Sequence, residues 1–248
     1  MKRMLVVLAI LATACAGETA ATTTTTSPPT TTSRSPTTTT TVATTATTAI
    51  ASTTSLDRGP SGESVAGSVD GTVGYVGCSM SQNAAEGYQL AGGDNMWSFR
   101  APYGGGTIGR WNDDITSDRG RYWGGFAKEL DLSRNTTVVW WNLCTAKAGP
   151  HDSYENAVLI LDEIQAQIPG VVVYVSAQPA YTDGHVCELA GPGGPEAMQE
   201  IADQLIAEGL VLEGPRMGPL QKSETRDGCH ANEDGMEVLG QQLLDFFG

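Results

Sequence analysis

The sequence predicts an α/β fold, a three-layer α/β/α sandwich built around a five-stranded parallel sheet. Short runs of β-branched and aromatic residues alternate along the chain with longer amphipathic stretches, which is the pattern of strands alternating with helices. Strands joined by helices pair in parallel through right-handed crossovers, and the helices then cover the sheet. In such open sheets the functional side chains lie in loops at the carboxyl ends of the strands.

Each element follows from its local pattern. Apolar runs rich in β-branched or aromatic residues predict strands at Thr72–Val76, Met96–Phe99, Thr136–Trp141, Val171–Ser176 and Leu210–Leu212. Apolar residues at helical spacing predict helices at Tyr122–Leu130, Ser153–Gln167, Pro195–Glu208 and Glu233–Phe247. A further helix is expected to begin at Ser81 or Gln82, directly after the first strand.

Residues 1–14 have the pattern of an export signal. Lys2 and Arg3 precede an apolar run that is too short to span a bilayer of roughly 30 Å. The stretch LATAC, which ends at Cys15, resembles a bacterial lipobox, in which the cysteine is lipidated and becomes the new N-terminus. We therefore expect an extracytoplasmic protein anchored to the cell membrane by Cys15. Cleavage after Ala14 without lipidation would give a secreted protein instead.

Residues 15–68 form a second region of distinct composition. More than half of the residues from Thr22 to Thr54 are threonine, and Ser, Pro and Ala fill most of the remainder. Such a tract cannot bury enough apolar surface to offset the entropy of ordering it, so a disordered tether is expected. The remaining 69–248 stretch is long enough for one domain with its own core.

Charge and cysteine usage limit the partners and the compartment. Removing Lys2 and Arg3 with the leader would take the formal net charge from −14 to −16, which disfavours nucleic acid and anionic membrane surfaces. Membrane contact is expected through the N-terminal lipid only. Beyond Cys15 the chain has four cysteines, and an even number in an exported chain favours two disulfides, with three connectivities open.

A serine lies where the first predicted strand ends, in the sequence YVGCSMSQ. Gly77 permits a tight turn, and Ser79 then projects from the carboxyl edge of the sheet ahead of a helix. The N–H groups and positive dipole end of that helix suit a developing oxyanion. The alternative interpretation is that Ser79 or Ser81 only caps the helix.

An aspartate and a histidine lie three residues apart near the C-terminus, in the sequence RDGCHANEDG. At this spacing the Asp227 carboxylate can accept a hydrogen bond from one N–H of the His230 ring, and the other ring nitrogen then faces outward. A serine nucleophile needs such an oriented base. The alternative is a surface histidine in a loop, with Asn232 capping the last helix.

Together these two ends resemble the SGNH, or GDSL-like, hydrolase family. The family's Gly-Asp-Ser motif after the first strand is present as Gly77-Cys78-Ser79, with cysteine in place of the aspartate. Its Asp-x-x-His motif is present as Asp227-Gly228-Cys229-His230, followed by the His-x-Asn-x-x-Gly run into a helix. The resemblance implies a flavodoxin-like fold, Ser79 as nucleophile, His230 as general acid and base, Asp227 as its orienting acid, and neither a metal nor an organic cofactor.

The resemblance also implies an oxyanion hole and a disulfide pattern. The oxyanion donors are expected to be the Ser79 N–H, Gly105 in the Gly104–Gly106 loop, and the Asn142 side chain. Because the first and third predicted strands are neighbours in this fold, Cys78 and Cys144 are expected to pair, which leaves Cys187 and Cys229 as the second pair. The competing interpretations are a metal site, formed by His185, Cys187, Cys229 and His230, and a rival general base at His151 or His185.

The expected function is that of an exported serine esterase acting as a monomer on a small or glycan ester. The chain has only four phenylalanines, which leaves little material for a long acyl tunnel and favours short acyl groups such as acetyl. Five aromatic side chains are candidates for stacking on a sugar or for core packing: Trp97, Tyr103, Trp111, Tyr122 and Trp123. The alternative function is a non-catalytic lipoprotein that retains the fold to bind carbohydrate or cell wall.

Overall fold

A computed structural model describes residues 73–117, 120–133, 135–147, 149–182 and 184–248. The predicted signal peptide, the lipidation site at Cys15 and the tether up to residue 68 lie outside these residues. Within the described part of the chain, no helix is long and apolar enough to cross a membrane.

The described domain contains a parallel sheet of four strands, which confirms the predicted α/β class. The strands are β1 (Val73–Val76), β2 (Val138–Leu143), β3 (Val172–Ala177) and β4 (Leu212–Glu213). They lie in the order β1-β2-β3-β4, and every neighbouring pair is parallel. β1 and β2 are almost wholly buried, as expected for strands covered on both faces.

The strand predicted at Met96–Phe99 is reduced to one parallel bridge between Met96 and Val73. Beyond that bridge, side chains donate hydrogen bonds to the main-chain carbonyls that would otherwise pair with a neighbouring strand. The Tyr75 hydroxyl donates to the Ser98 carbonyl at 3.1 Å, and the Gln82 amide donates to the Phe99 and Ala101 carbonyls. The chain therefore leaves the sheet edge after a single pair of main-chain hydrogen bonds.

Six α-helices and one short 3₁₀ turn complete the described domain. The helices are α1 (Ser79–Leu90), α2 (Ile108–Ile115), α3 (Arg121–Ser133), α4 (Tyr154–Gln167), α5 (Gly194–Ala207) and α6 (Glu233–Phe247), and the turn is Lys222–Glu224. Helix α2 was not predicted because it is only eight residues long. Its last turn contains Asp114, whose carboxylate accepts the first main-chain N–H groups of α3, those of Tyr122 and Trp123.

Helix α1 begins at Ser79, earlier than the predicted Ser81 or Gln82. Cys78 has extended backbone angles and is the N-cap residue. The Ser81 hydroxyl reaches back and accepts the Cys78 N–H at 2.9 Å, so the chain is already held in its capped geometry one residue before Ser79. Ser79 consequently occupies the first position of the helix.

Helices α1 and α6 pack against each other with their backbones in contact. A Cβ at Gly87 would collide with the Met236 carbonyl, and one at Gly240 would collide with the main chain of Gly87 and Tyr88. Each of these two glycines lies about two turns from the N-terminus of its helix. The close approach therefore places the N-termini of α1 and α6 side by side.

Candidate active site

The structure brings three of the predicted site residues into one hydrogen-bonded chain. Ser79 Oγ lies 2.8 Å from Nε2 of His230, and Nδ1 of the same ring lies 2.7 Å from Asp227 Oδ2. Ser79 comes from the first turn of α1, whereas His230 and Asp227 come from the turn just before α6. The neighbouring N-termini of these two helices account for the meeting of residues 151 positions apart in sequence.

The hydrogen bonds fix the direction in which each proton points. A carboxylate only accepts, so His230 Nδ1–H donates to Asp227, and in the neutral ring Nε2 then accepts from the Ser79 hydroxyl. Burial raises the pKa of Asp227, but hydrogen bonds from the His230 ring and from the N–H groups of His230 and Cys229 lower it more, to about 2. Asp227 is therefore ionised at neutral pH.

The turn that carries Asp227 is held by its own side chain. Asp227 Oδ1 accepts the main-chain N–H groups of Cys229 at 3.0 Å and His230 at 2.8 Å. Gly228 between them has φ of +80°, a left-handed conformation that glycine adopts at no steric cost. The Arg226 N–H donates to the His230 carbonyl at 2.9 Å and closes the turn.

The residues after His230 lock the start of α6. Asn232 Oδ1 accepts the Gly235 N–H as the N-cap, and Asn232 Nδ2 donates to the Ser223 carbonyl at 2.7 Å. A Cβ at Gly235 would collide with the Glu224 carbonyl. The spacing of histidine, asparagine and glycine in this block thus follows from a close contact between α6 and the preceding 3₁₀ turn.

The Ser79 side of the site is also closely packed. A Cβ at Gly77 would collide with Ser81, and the Trp111 indole N–H donates to the Gly77 carbonyl at 2.8 Å. Because Ser79 is the first residue of α1, its N–H has no intrahelical acceptor. That N–H and the positive end of the helix are available to a developing negative charge beside Oγ.

Asn142 lies in the core and is already fully bonded. Its side chain is buried, and Nδ2 donates to the carbonyls of Ala177 at 2.8 Å and Ser176 at 3.4 Å. Its Oδ1 accepts the Ser81 hydroxyl at 2.9 Å. In this structure the Asn142 amide therefore ties β2 to β3 and α1, and it has no free donor for an oxyanion.

The loop Gly104–Gly106 lies beside the turn at Gly77 that precedes Ser79. A Cβ at Gly106 would collide with the Gly77 carbonyl and the Trp111 indole nitrogen. Its neighbour Gly105 is exposed with φ of +77°, and within the described part of the chain its N–H donates no hydrogen bond. Gly105 thus retains a free donor in the loop that adjoins the Ser79 turn.

Two disulfides flank the site, in the predicted pairing of Cys78 with Cys144 and Cys187 with Cys229. The Cα separations are 6.2 Å and 4.7 Å, within the range for disulfides. All four cysteines are buried in one cluster with Met80, the residue after Ser79. The metal-site interpretation is wrong, because both of its cysteines are bonded to each other. Among the described residues, no three His, Cys, Asp or Glu side chains converge as a metal site.

The other two histidines lie outside the Ser79–His230–Asp227 chain. His151 is exposed at the start of the segment before α4. His185 lies close to the site, but its Nε2 is 2.7 Å from the Gly228 carbonyl, an acceptor, so this nitrogen is a donor. In the structure His185 contacts the turn that carries Asp227 rather than Ser79.

Of the two roles left open for the five aromatic residues, the structure shows core packing. All five candidate rings are buried in the hydrophobic core: Trp97, Tyr103, Trp111, Tyr122 and Trp123. Most of them pack edge-on or tilted against one another, with Trp111 at the centre. Trp111 supports the Gly77 turn through the hydrogen bond from its indole N–H to the Gly77 carbonyl.

Sequence reasoning missed two residues beside the site. Gln82, one helical turn after Ser79, ties α1 to the carbonyls of Phe99 and Ala101, and a polar residue on the buried face of a predicted helix was the available signal. The Tyr181 hydroxyl donates to the Cys229 carbonyl at 2.8 Å. No local pattern marks Tyr181, because its partner is 48 residues away.

Comparison of the chain with protein-family models, with curated proteins and with solved structures finds no match in any of the three.

Proposed function

We propose that the protein is an exported serine ester hydrolase of the SGNH type. The observation that carries the proposal is the continuous chain from Ser79 Oγ through His230 to Asp227, with distances of 2.8 Å and 2.7 Å. A serine that only capped a helix would not need an imidazole oriented by a carboxylate on its hydroxyl. The geometry is that of an activated nucleophile with its base and an orienting acid.

In the proposed reaction the Ser79 hydroxyl oxygen attacks the ester carbonyl carbon while its proton moves to His230 Nε2. The imidazolium that forms is stabilised by the Asp227 carboxylate, which stays ionised. His230 then returns the proton to the departing alcohol, and an acyl-enzyme on Ser79 remains. Water then attacks the acyl-enzyme as His230 takes its proton. His230 passes this proton to Ser79 Oγ, and the carboxylic acid is released.

The carbonyl oxygen gains negative charge during each attack. We assign its stabilisation to the Ser79 N–H at the start of α1 and to the N–H of Gly105, which has no other acceptor within the described residues. The helix dipole adds to both. Asn142 is left out of this proposal because its amide hydrogens are already bonded to main-chain carbonyls.

The finer fold assignment belongs to the same proposal. Met96 bridges the free edge of β1, so we interpret it as a vestigial strand that completes a five-position, three-layer sheet of the flavodoxin type. The two disulfides favour an oxidising compartment outside the cytoplasm. This agrees with the export signal and the lipidated Cys15 proposed from the sequence.

We propose short acyl esters, such as acetyl groups on a carbohydrate or a related small ester, as substrates of a monomeric enzyme. The low phenylalanine content supports the short acyl group, whereas burial of the five aromatic rings removes the stacking argument for the sugar. The same burial weakens the alternative of a non-catalytic carbohydrate-binding lipoprotein, since these rings cannot stack on a glycan.

The test is hydrolysis of a series of p-nitrophenyl esters of increasing chain length by wild type and three variants. We expect the highest kcat/KM for the acetyl or propionyl ester, and losses on the order of 1000-fold or more in Ser79→Ala and His230→Ala. His151→Ala is the matched histidine control and should behave as wild type. A maximum at about eight carbons or longer would overturn the short acyl group, and full activity in His230→Ala would overturn the proposed base.

A further inference from the structure

One short segment contacts the Asp227 turn in three places. The segment 181–187 follows β3, and it contributes a hydroxyl, an imidazole and a cysteine to the turn 227–230. All three contacts reach main-chain or disulfide atoms of consecutive residues, Gly228 and Cys229. None of them reaches the Asp227 carboxylate or the His230 ring, so these contacts act on the backbone of the turn.

Tyr181 joins the two halves of the candidate site. Its hydroxyl donates to the Cys229 carbonyl at 2.8 Å and lies 3.7 Å from Met80 Sδ, next to the nucleophile. Burial, and after it the negative charge of Asp227, raise the pKa of Tyr181 far above its ordinary value. The phenol therefore keeps its proton at neutral pH and can donate to the Cys229 carbonyl.

His185 holds the neighbouring carbonyl. Its Nε2 lies 2.7 Å from the Gly228 carbonyl oxygen, and because a carbonyl only accepts, this nitrogen carries a hydrogen. The His185 ring packs edge-on against the Tyr181 ring, with centroids 5.4 Å apart. The Tyr181 and His185 rings thus pack against each other, and each donates a hydrogen bond to one of two adjacent main-chain carbonyls.

The turn needs such support because its acid is open to solvent. The Asp227 side chain is 46% exposed, whereas the His230 side chain is 15% exposed. Among the described residues, Asp227 accepts hydrogen bonds from its own turn alone, and these bonds shape the turn without fixing it to other segments. Attachment on this side comes from the segment 181–187.

We propose that Tyr181 and His185 are positioning residues that hold the Asp227 turn at the distance from Ser79 that proton transfer requires. The inference rests on the proposed hydrolase function, in which His230 takes the Ser79 proton. Loss of either donor should let the turn move, and displacements near 1 Å cost on the order of 100-fold in rate. The two residues act on kcat and not on substrate binding.

The test compares Tyr181→Phe, His185→Ala and His185→Gln with wild type. We expect Tyr181→Phe and His185→Ala each to lower kcat about 10-fold at unchanged KM, and the double variant about 100-fold. His185→Gln should recover most of the activity, because its amide can donate to the same carbonyl. Tyr154→Phe, which removes the exposed hydrogen bond to Glu208, and His151→Ala are the matched controls and should equal wild type.

A second readout does not depend on turnover. The His230 Nδ1 proton that bridges to Asp227 should give a downfield proton resonance, assigned by its loss in His230→Ala. We expect this resonance to broaden through faster exchange in Tyr181→Phe and His185→Ala, and to stay sharp in both controls. An inactive wild type with these line widths would overturn the hydrolase and keep the positioning role. Unchanged kcat and unchanged line widths in the double variant would overturn the positioning role.

Discussion

Asp227 accepts three hydrogen bonds from a turn of which it is itself a part, so its charge and the shape of the turn depend on each other. Asp227→Asn keeps the size of the side chain but presents an amide to His230 Nδ1. The ring would then carry its proton on Nε2 and could no longer accept from Ser79. We expect kcat for ester hydrolysis to fall on the order of 10,000-fold.

The matched control is Asp162→Asn, which changes an exposed carboxylate on α4 outside the candidate site. Both variants should have the far-UV circular dichroism of wild type. If Asp227→Asn retained wild-type kcat, the orientation of the His230 ring would not depend on the carboxylate.

The same carboxylate predicts a pH dependence of stability. Because the folded pKa of Asp227, about 2, lies below the ordinary value of 3.8, the unfolded chain binds this proton at higher pH than the folded one. The contribution is therefore complete above about pH 5 and is lost progressively as the pH falls toward about 2. We expect about 1 kcal/mol, since the side chain is half exposed and its interactions are screened.

Denaturant unfolding of wild type and Asp227→Asn between pH 3 and pH 7 measures this contribution. The difference in unfolding free energy should be constant above about pH 5 and should shrink toward pH 3. A difference that grew on acidification would have the wrong sign for a depressed carboxylate pKa.

Site residues could be predicted from the sequence where their partners are close along the chain. Asp227 and His230 lie in one turn, so their spacing alone predicted the pair. Asn142 could not be assigned in this way, because its bonds to Ala177 and Ser81 arise from the register of β2 with β3 and from the packing of α1. Such contacts between distant segments leave no periodic signal.

At the scale of elements, the contact between α1 and α6 sets the distance from Ser79 to His230. Gly240→Ala would place a Cβ inside the main chain of Gly87, so the helices must separate. We expect a loss of about 1–3 kcal/mol in unfolding free energy from overpacking, together with a fall of about 10-fold or more in kcat as Oγ and Nε2 move apart.

Gly149→Ala is the matched glycine control for this variant. An added Cβ there meets its nearest neighbours at 3.5 Å or more, in ordinary contact, so stability and kcat should stay close to wild type. Thermal unfolding and ester hydrolysis measured on the same samples compare the two. A Gly240→Ala protein with unchanged kcat would show that the helix spacing does not control the active-site geometry.

The Cys187–Cys229 disulfide should support the same turn from a third direction. Its closed loop spans 42 residues, for which chain entropy gives about 4 kcal/mol of stabilisation at most. In a Cys187→Ser/Cys229→Ser variant we expect kcat to fall while the far-UV circular dichroism of the sheet and helices is retained. Full kcat in this variant, or two free thiols by mass spectrometry of the exported protein, would contradict the supporting role.

Element prediction succeeded where one face or a whole strand is buried, and failed at the edges. β1, β2 and β3 are buried apolar runs and were predicted within two residues. The run Met96–Phe99 is also apolar, but side chains of Tyr75 and Gln82 donate to its carbonyls in place of a partner strand. An apolar composition predicts that a segment is buried, whereas its pairing as a strand depends on which hydrogen-bond donors reach its main-chain carbonyls.

For the whole molecule, composition limits the partners more than it identifies the substrate. The formal net charge of −14 opposes binding to polyanions, and alternation of strands with helices predicted the parallel α/β sheet. Nothing in the composition distinguishes one ester from another. The aromatic residues that suggested a sugar pack instead around Trp111 in the core.

A serine nucleophile activated by a histidine reacts with electrophilic phosphonates, and this property tests the roles proposed for Ser79 and His230. The most direct measurement is reaction of the folded domain with a fluorophosphonate, followed by intact-protein and peptide mass spectrometry. We predict one adduct per molecule, located on Ser79, no adduct in Ser79→Ala, and strongly slowed labelling in His230→Ala, with all three proteins folded by circular dichroism. Absence of labelling in folded wild type, or an adduct that persists in Ser79→Ala, would contradict these roles.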